Sequence, residues 1–172
     1  MPLLPAHGLT VDYGNRWDIK QKYGITNVRP DGSVSVRKHH EVGGLAEEFV
    51  ADLLGVDVNR QVTVGGDDGV DLLFRGWKIG VKYVSWHGAD IYLKVNVTDK
   101  DGSPAKDAAN CDIHVCVNGS PEYGFKFVGC ASKKSVLAAQ QIDFGYGPKY
   151  AIHQDMLGTL DQLLSLRHKH PT

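Results

Sequence analysis

Apolar positions first fall into a helical period over residues 45–54. At about 100° per residue, Leu45, Ala46, Phe49, Val50, Leu53 and Leu54 share one side. This predicts an amphipathic helix entered through a Gly43-Gly44 break and stopped by Gly55. Glu47 sits at the margin of the apolar face, whereas Glu48 and Asp52 point to solvent. The period then becomes two. Residues 70–74 and 77–84 flank Arg75-Gly76 and read as a hairpin with a two-residue turn. Ile91, Leu93, Val95 and Val97 alternate with Tyr92, Lys94 and Asn96, which predicts a half-buried strand. Residues 112–117 and 125–128 are further strands around Asn118-Gly119-Ser120-Pro121. Ser132 caps a short helix through about residue 140. Residues 150–153 form a last strand and 155–166 a closing amphipathic helix. Arg167-His168-Lys169-His170 lies at its C-terminal end, where cations suit the helix dipole. Upstream, residues 1–24 lack periodicity and read as an irregular arm. Residues 25–29 and 33–37 flank Pro30-Asp31-Gly32 and read as a small hairpin. The sum is α+β, or mixed α/β: a central mixed sheet flanked by helices in one domain over 1–172. The arm and hairpin occupy 1–40, the core 41–166 and a tail 167–172.

Composition supports a globular chain, with 42% hydrophobic and 23% charged residues. Nineteen Lys and Arg against 20 Asp and Glu leave a net charge of −1, which argues against a charge-driven nucleic-acid coat or a polybasic membrane binder. No apolar run approaches the roughly 20 residues that cross a bilayer, so no membrane partner is expected. Met1-Pro2-Leu3-Leu4-Pro5 does not read as a signal peptide. Three cysteines, too few and odd in number for a disulfide framework, favour a reducing, cytoplasmic setting. Cys111, His114 and Cys116 mix zinc-ligand types, but the two cysteines would face opposite sides of a strand and no second ligand pair follows, which favours plain thiols. The near-neutral total hides segregation. Residues 13–40 carry six Lys/Arg and two Asp/Glu, whereas residues 41–101 carry six against eleven.

The hairpin concentrates the chemistry. A two-residue turn at Arg75-Gly76 pairs Phe74 with Trp77, Leu73 with Lys78, Leu72 with Ile79 and Asp71 with Gly80. Alternation then puts Asp71, Gly80 and Lys82 on one face, while Val70, Leu72, Ile79 and Val81 point into a core. A carboxylate and a lysine held this way suit metal-assisted phosphodiester hydrolysis, the carboxylate holding Mg²⁺ and the lysine neutralising charge or orienting water. The plain alternative is a cross-strand charge pair on a solvated face. The acidic helix and the loop Gly65-Gly66-Asp67-Asp68-Gly69 tip the comparison toward a site, although Glu47 also reads as a surface acid and Asp67 and Asp68 as turn residues. Asp112 reads as structural. Arg37, Lys38, His39 and His40 form a basic patch that either is solvated or contacts DNA phosphates, and Lys133 and Lys134 have the same two readings. Gly145-Tyr146-Gly147-Pro148-Lys149-Tyr150 reads as a special turn in preference to a phosphate nest. Trp77, Tyr83 and Trp86 read as packing residues.

The acidic helix Gly44-Leu-Ala-Glu47-Glu48-Phe-Val-Ala-Asp-Leu-Leu-Gly55, the Gly-Val-Asp71-Leu segment and the hairpin to Ile-Gly80-Val-Lys82-Tyr resemble the PD-(D/E)xK nuclease superfamily. Asp112-Ile-His-Val-Cys-Val is similar to its later core strand, and Phe127-Val-Gly-Cys-Ala-Ser to the strand entering its second helix. The resemblance spans about residues 40 to 165. It implies a restriction-endonuclease-like core and a metal-dependent DNA endonuclease. Glu47, Asp71 and Lys82 would be the catalytic residues, and Asp71, Glu47, Asp68 and the carbonyl of Val81 the ligands of Mg²⁺ (or Mn²⁺). DNA is the implied partner, with a homodimer fitting an enzyme that cuts both strands. Gly80 stands where the family carries an acid. Glu47, Asp67 or Asp68 would fill the gap, with Gly80 leaving room opposite Asp71. The alternative is an inactive relative that binds nucleic acid or protein.

Overall fold

A computed structural model describes residues 35–58, 69–85, 90–120 and 124–170. The first element is a 20-residue helix, α1 (Ser35–Leu54). It runs straight through Gly43-Gly44, so no break separates residues 35–42 from the predicted helix. Residues 35–37 are helical, which corrects the end of the expected N-terminal hairpin; its remainder, like the arm, lies outside the described residues. Val42, Leu45 and Ala46 bury one continuous stripe across the glycines. That packing outweighs the intrinsic helix penalty of roughly 1 kcal/mol per glycine.

A four-stranded mixed sheet follows, in the order β1 (Leu72–Phe74), β2 (Trp77–Val84), β4 (Ile113–Ser120), β5 (Gly124–Ser132). β1 and β2 are antiparallel, β2 and β4 parallel, and β4 and β5 antiparallel. The crossover between the parallel strands contains β3 (Tyr92–Asn96) and a short helix, α2 (Lys106–Asn110). β3 joins β7 (Pro148–His153) and β6 (Gln140–Asp143) in a second, antiparallel sheet. Between β5 and β6 lies α3 (Lys133–Leu137), whose N-terminus is capped as expected: the Ser132 side chain accepts from Ser135 N–H. It ends earlier than predicted because residues 140–143 join the sheet. The closing helix is also shorter. A 3₁₀ turn (Gln154–Met156) and α4 (Leu160–Leu164) replace it, with Gly158 bridged between them to Cys130 of β5.

Two cores result. α1 packs on one face of the four-stranded sheet against Leu72, Phe74, Ile79, Val81, Val115 and Val117. The other face, through Cys116 and Ala131, packs on Ile91, Leu93 and Val95 of β3 and Ala108 of α2. β4 is buried on both faces because it is covered on both. Among the described residues no helix is long and apolar enough to cross a membrane.

Candidate functional site

The β1–β2 turn fixes the site. Arg75 and Gly76 both adopt positive φ, 51° and 81°, the geometry that lets a two-residue turn follow strand twist. The register is Leu72↔Ile79, Leu73↔Lys78 and Phe74↔Trp77, as the alternation predicts. Asp71 is tied across to β2 twice: its N–H donates to Ile79 O at 2.9 Å, and its Oδ2 accepts from Val81 N–H at 2.7 Å. Gly80 and Lys82 lie at the opposite parity from Ile79 and Val81, so they face away from α1.

Lys82 Nζ donates to Asp107 Oδ2 in an ion pair whose side chains are 24% and 28% exposed. Burial works against the ammonium, but the charge of Asp107, its hydrogen bond and the charge of Asp71 outweigh it, so the Lys82 pKa is raised. Lys82 is therefore a fixed positive charge flanked by two carboxylates. Asp107 comes from α2, which sequence reading did not find: five residues are too few to display a helical period. Its seat depends on Gly69 at φ +82°, where a Cβ would come within 2.3 Å of Asp107 Oδ1.

Gly80 does not leave the room expected opposite Asp71. A Cβ there would meet Cys111 Sγ at 2.9 Å, His114 Cδ2 at 3.1 Å and His114 Nε2 at 3.3 Å. Parallel pairing brings His114 beside Gly80 and Cys116 beside Lys82. The Cys111 thiol donates to Gly69 O at 3.1 Å. His114 is fully buried, with no hydrogen-bond partner for either ring nitrogen. Burial first, then the charge of Lys82, push its pKa down to about 4 against the pull of Asp107. The imidazole beneath the site is neutral.

Lys82 thus pairs with Asp107 and feels the charge of Asp71. Glu47 is half-buried on α1, the layer covering the other face of the sheet. Val81 is buried within β2. Asp67, Asp68 and Trp86 lie outside the described residues. Arg37, Lys38, His39 and His40 form part of the first turns of α1 instead of preceding the helix. Lys133 Nζ donates to Ala109 O at 2.5 Å, and Lys134 is exposed. Asp112 is structural: its carboxylate accepts from Lys78 N–H at 2.9 Å and pairs with Lys169 at 3.0 Å. All three cysteines are free thiols. Among the described residues no group of three or more His, Cys, Asp and Glu is set to hold a metal ion. Mg²⁺, however, is usually held by one or two carboxylates together with water and substrate phosphate. The oxygen donors of Asp71 and Asp107 suit that cation, and a fixed lysine beside them suits phosphate. Comparison with protein-family models, with curated proteins and with solved structures finds no match.

Proposed function

We propose that the chain is a metal-dependent DNA phosphodiesterase of the PD-(D/E)xK kind, with Asp71, Lys82 and Asp107 as its reactive groups. One observation carries the reading: Lys82 of the β1–β2 hairpin is held by Asp107 of α2 within the field of the Asp71 carboxylate. The mixed sheet flanked by helices, with β4 parallel to β2 and β5 running into α3, is in keeping with the core that the resemblance implies. In this reading Asp107 is the second acid, relocated from position 80 to α2. Mg²⁺ or Mn²⁺, held by Asp71 and Asp107 with Asp68 and the Val81 carbonyl as further donors, would supply Lewis-acid neutralisation of the scissile phosphate.

The chain's own groups do the rest. Lys82, held protonated, donates N–H to the non-bridging oxygens and offsets the charge that grows on them as water attacks. Asp107 positions that ammonium, and the Val81 N–H orients the Asp71 carboxylate. Neutral His114 adds no second positive charge beneath Lys82. Residues 37–40, Lys133 and Lys134 would contact the DNA backbone. The test is cleavage of plasmid and single-stranded DNA with Mg²⁺ or Mn²⁺. Asp71→Ala, Lys82→Ala and Asp107→Ala are each expected to lower the rate by about 100-fold or more. Cleavage that survives both Asp71→Ala and Lys82→Ala rejects the site.

A second reading, a non-catalytic nucleic-acid-binding or interaction module, is favoured by the filled space at Gly80. Calorimetric titration separates the two. Absence of Mg²⁺ or Mn²⁺ binding, even with DNA present, supports the module.

A further inference from the structure

Beside Asp107 opens a cleft of about 680 Å³, bounded by the loop after β3 and by the β6–β7 turn. Lys100, Lys106 and Lys149 line it, and Tyr146 stands at its rim with 87% of its surface exposed. The turn presenting that ring is fixed. Asp143 Oδ1 accepts from Gly145 N–H at 2.7 Å and Gly147 N–H at 3.2 Å, and both glycines hold positive φ. The neighbouring ring is already in use, because Phe144 packs on Tyr92 and carries Lys94 at 4.1 Å from its centroid. Two acids of the cleft are engaged locally: Asp99 Oδ2 accepts from Lys106 N–H at 3.1 Å, and Asp101 Oδ1 from Ser103 N–H at 3.0 Å. The third, Asp107, is offset by Lys82. Set against Asp99 and Asp101, the three lysines leave the cleft with an excess of one positive charge, and it carries one bare aromatic face and reaches Asp107.

We infer that this cleft is a track for unpaired nucleotides, with a base stacked on Tyr146 and the backbone phosphates met by Lys100, Lys106 and Lys149. The inference rests on the phosphodiesterase reading in taking nucleic acid as the ligand. It adds the substrate class: single-stranded DNA, or DNA with a frayed or branched end. Bases within a duplex are stacked on each other and have no free face for a tyrosine. Stacking on an aromatic ring is tolerant of sequence, so a track of this kind selects by strandedness.

The experiment measures fluorescence anisotropy of labelled oligo-dT of about 16 nucleotides, and of a blunt duplex of equal length, binding to the full chain in EDTA. Wild type should prefer oligo-dT. Tyr146→Ala should weaken that binding by about 5- to 100-fold, Tyr146→Phe should retain it, and duplex affinity should stay within about twofold. Lys106→Ala and Lys149→Ala should each flatten the salt dependence of log K by about 0.7. Equal binding of oligo-dT by Tyr146→Ala and wild type, or equal affinity of wild type for both ligands, overturns the inference. Parallel cleavage assays tell its failure from that of the parent reading. DNA cleavage lost in Asp71→Ala but indifferent to Tyr146 defeats the track alone. Tyr146-dependent binding without cleavage under any tested cation defeats the phosphodiesterase and leaves the track in a binding module.

Discussion

A methyl group at position 80 would press on Cys111 and His114 from inside the sheet, where neither neighbour has solvent to retreat into. Gly80→Ala is expected to lower stability by about 1–3 kcal/mol, and Gly80→Asp by more, since it adds a buried carboxylate. Urea unfolding checks this, and the cost of Gly80→Ala should be smaller in a His114→Ala background, where two of the three close contacts are gone. His114 also sets a pH dependence. Its folded pKa of about 4 lies below the ordinary 6.5, so the unfolded chain takes up the proton first as pH falls. The native state loses stability between about pH 6.5 and pH 4, by on the order of 3 kcal/mol in full. Thermal melts at pH 7.5 and pH 5 should show a larger drop for wild type than for His114→Leu. Asp71 and Lys82 were legible in the sequence because a two-residue turn fixes the register of both. His114 and Cys111 were not, since their proximity to Gly80 arises from parallel pairing across a long crossover, which leaves no local pattern.

Among the elements, α1 shows how packing overrides punctuation. Two consecutive glycines read as a break, yet the stripe from Val42 to Leu54 remains buried across them. Gly43 has no atom within 4 Å of the position a Cβ would occupy. Gly43→Ala should therefore stabilise the protein by about 0.5–1 kcal/mol, read as a higher denaturant midpoint at unchanged slope. Periodicity located the hairpin, β3, β4 and β5, whose alternation records burial directly. It missed β6, a strand exposed along most of its length, and it joined the 3₁₀ turn and α4 into one helix. Their separation at Gly158 comes from a tertiary bond: Gly158 N–H donates to Cys130 O at 2.7 Å, and Cys130 N–H returns to Gly158 O at 3.0 Å.

At the scale of the whole molecule, the segment after α4 does more than trail away. Arg75 Nη1 donates to Leu164 O, Trp77 Nε1 to Arg167 O at 2.8 Å, and Lys169 N–H to Arg75 O at 2.9 Å. Lys169 Nζ reaches Asp112 and lies 5.6 Å from the Trp77 ring centroid. The residues expected to form a tail thus hold the hairpin turn. Deleting residues 167–172 should lower stability by about 2–3 kcal/mol, at roughly 1 kcal/mol per hydrogen bond lost, and hydrogen exchange should accelerate at Asp71 and Val81. Order of synthesis gives that contact a further meaning. Arg75 leaves the ribosome 89 residues before its partner Leu164, a delay on the order of ten seconds at ordinary elongation rates. Throughout that interval the strands bearing Asp71 and Lys82 exist without their clamp, so maturation of the site is timed by the emergence of residues 164–169.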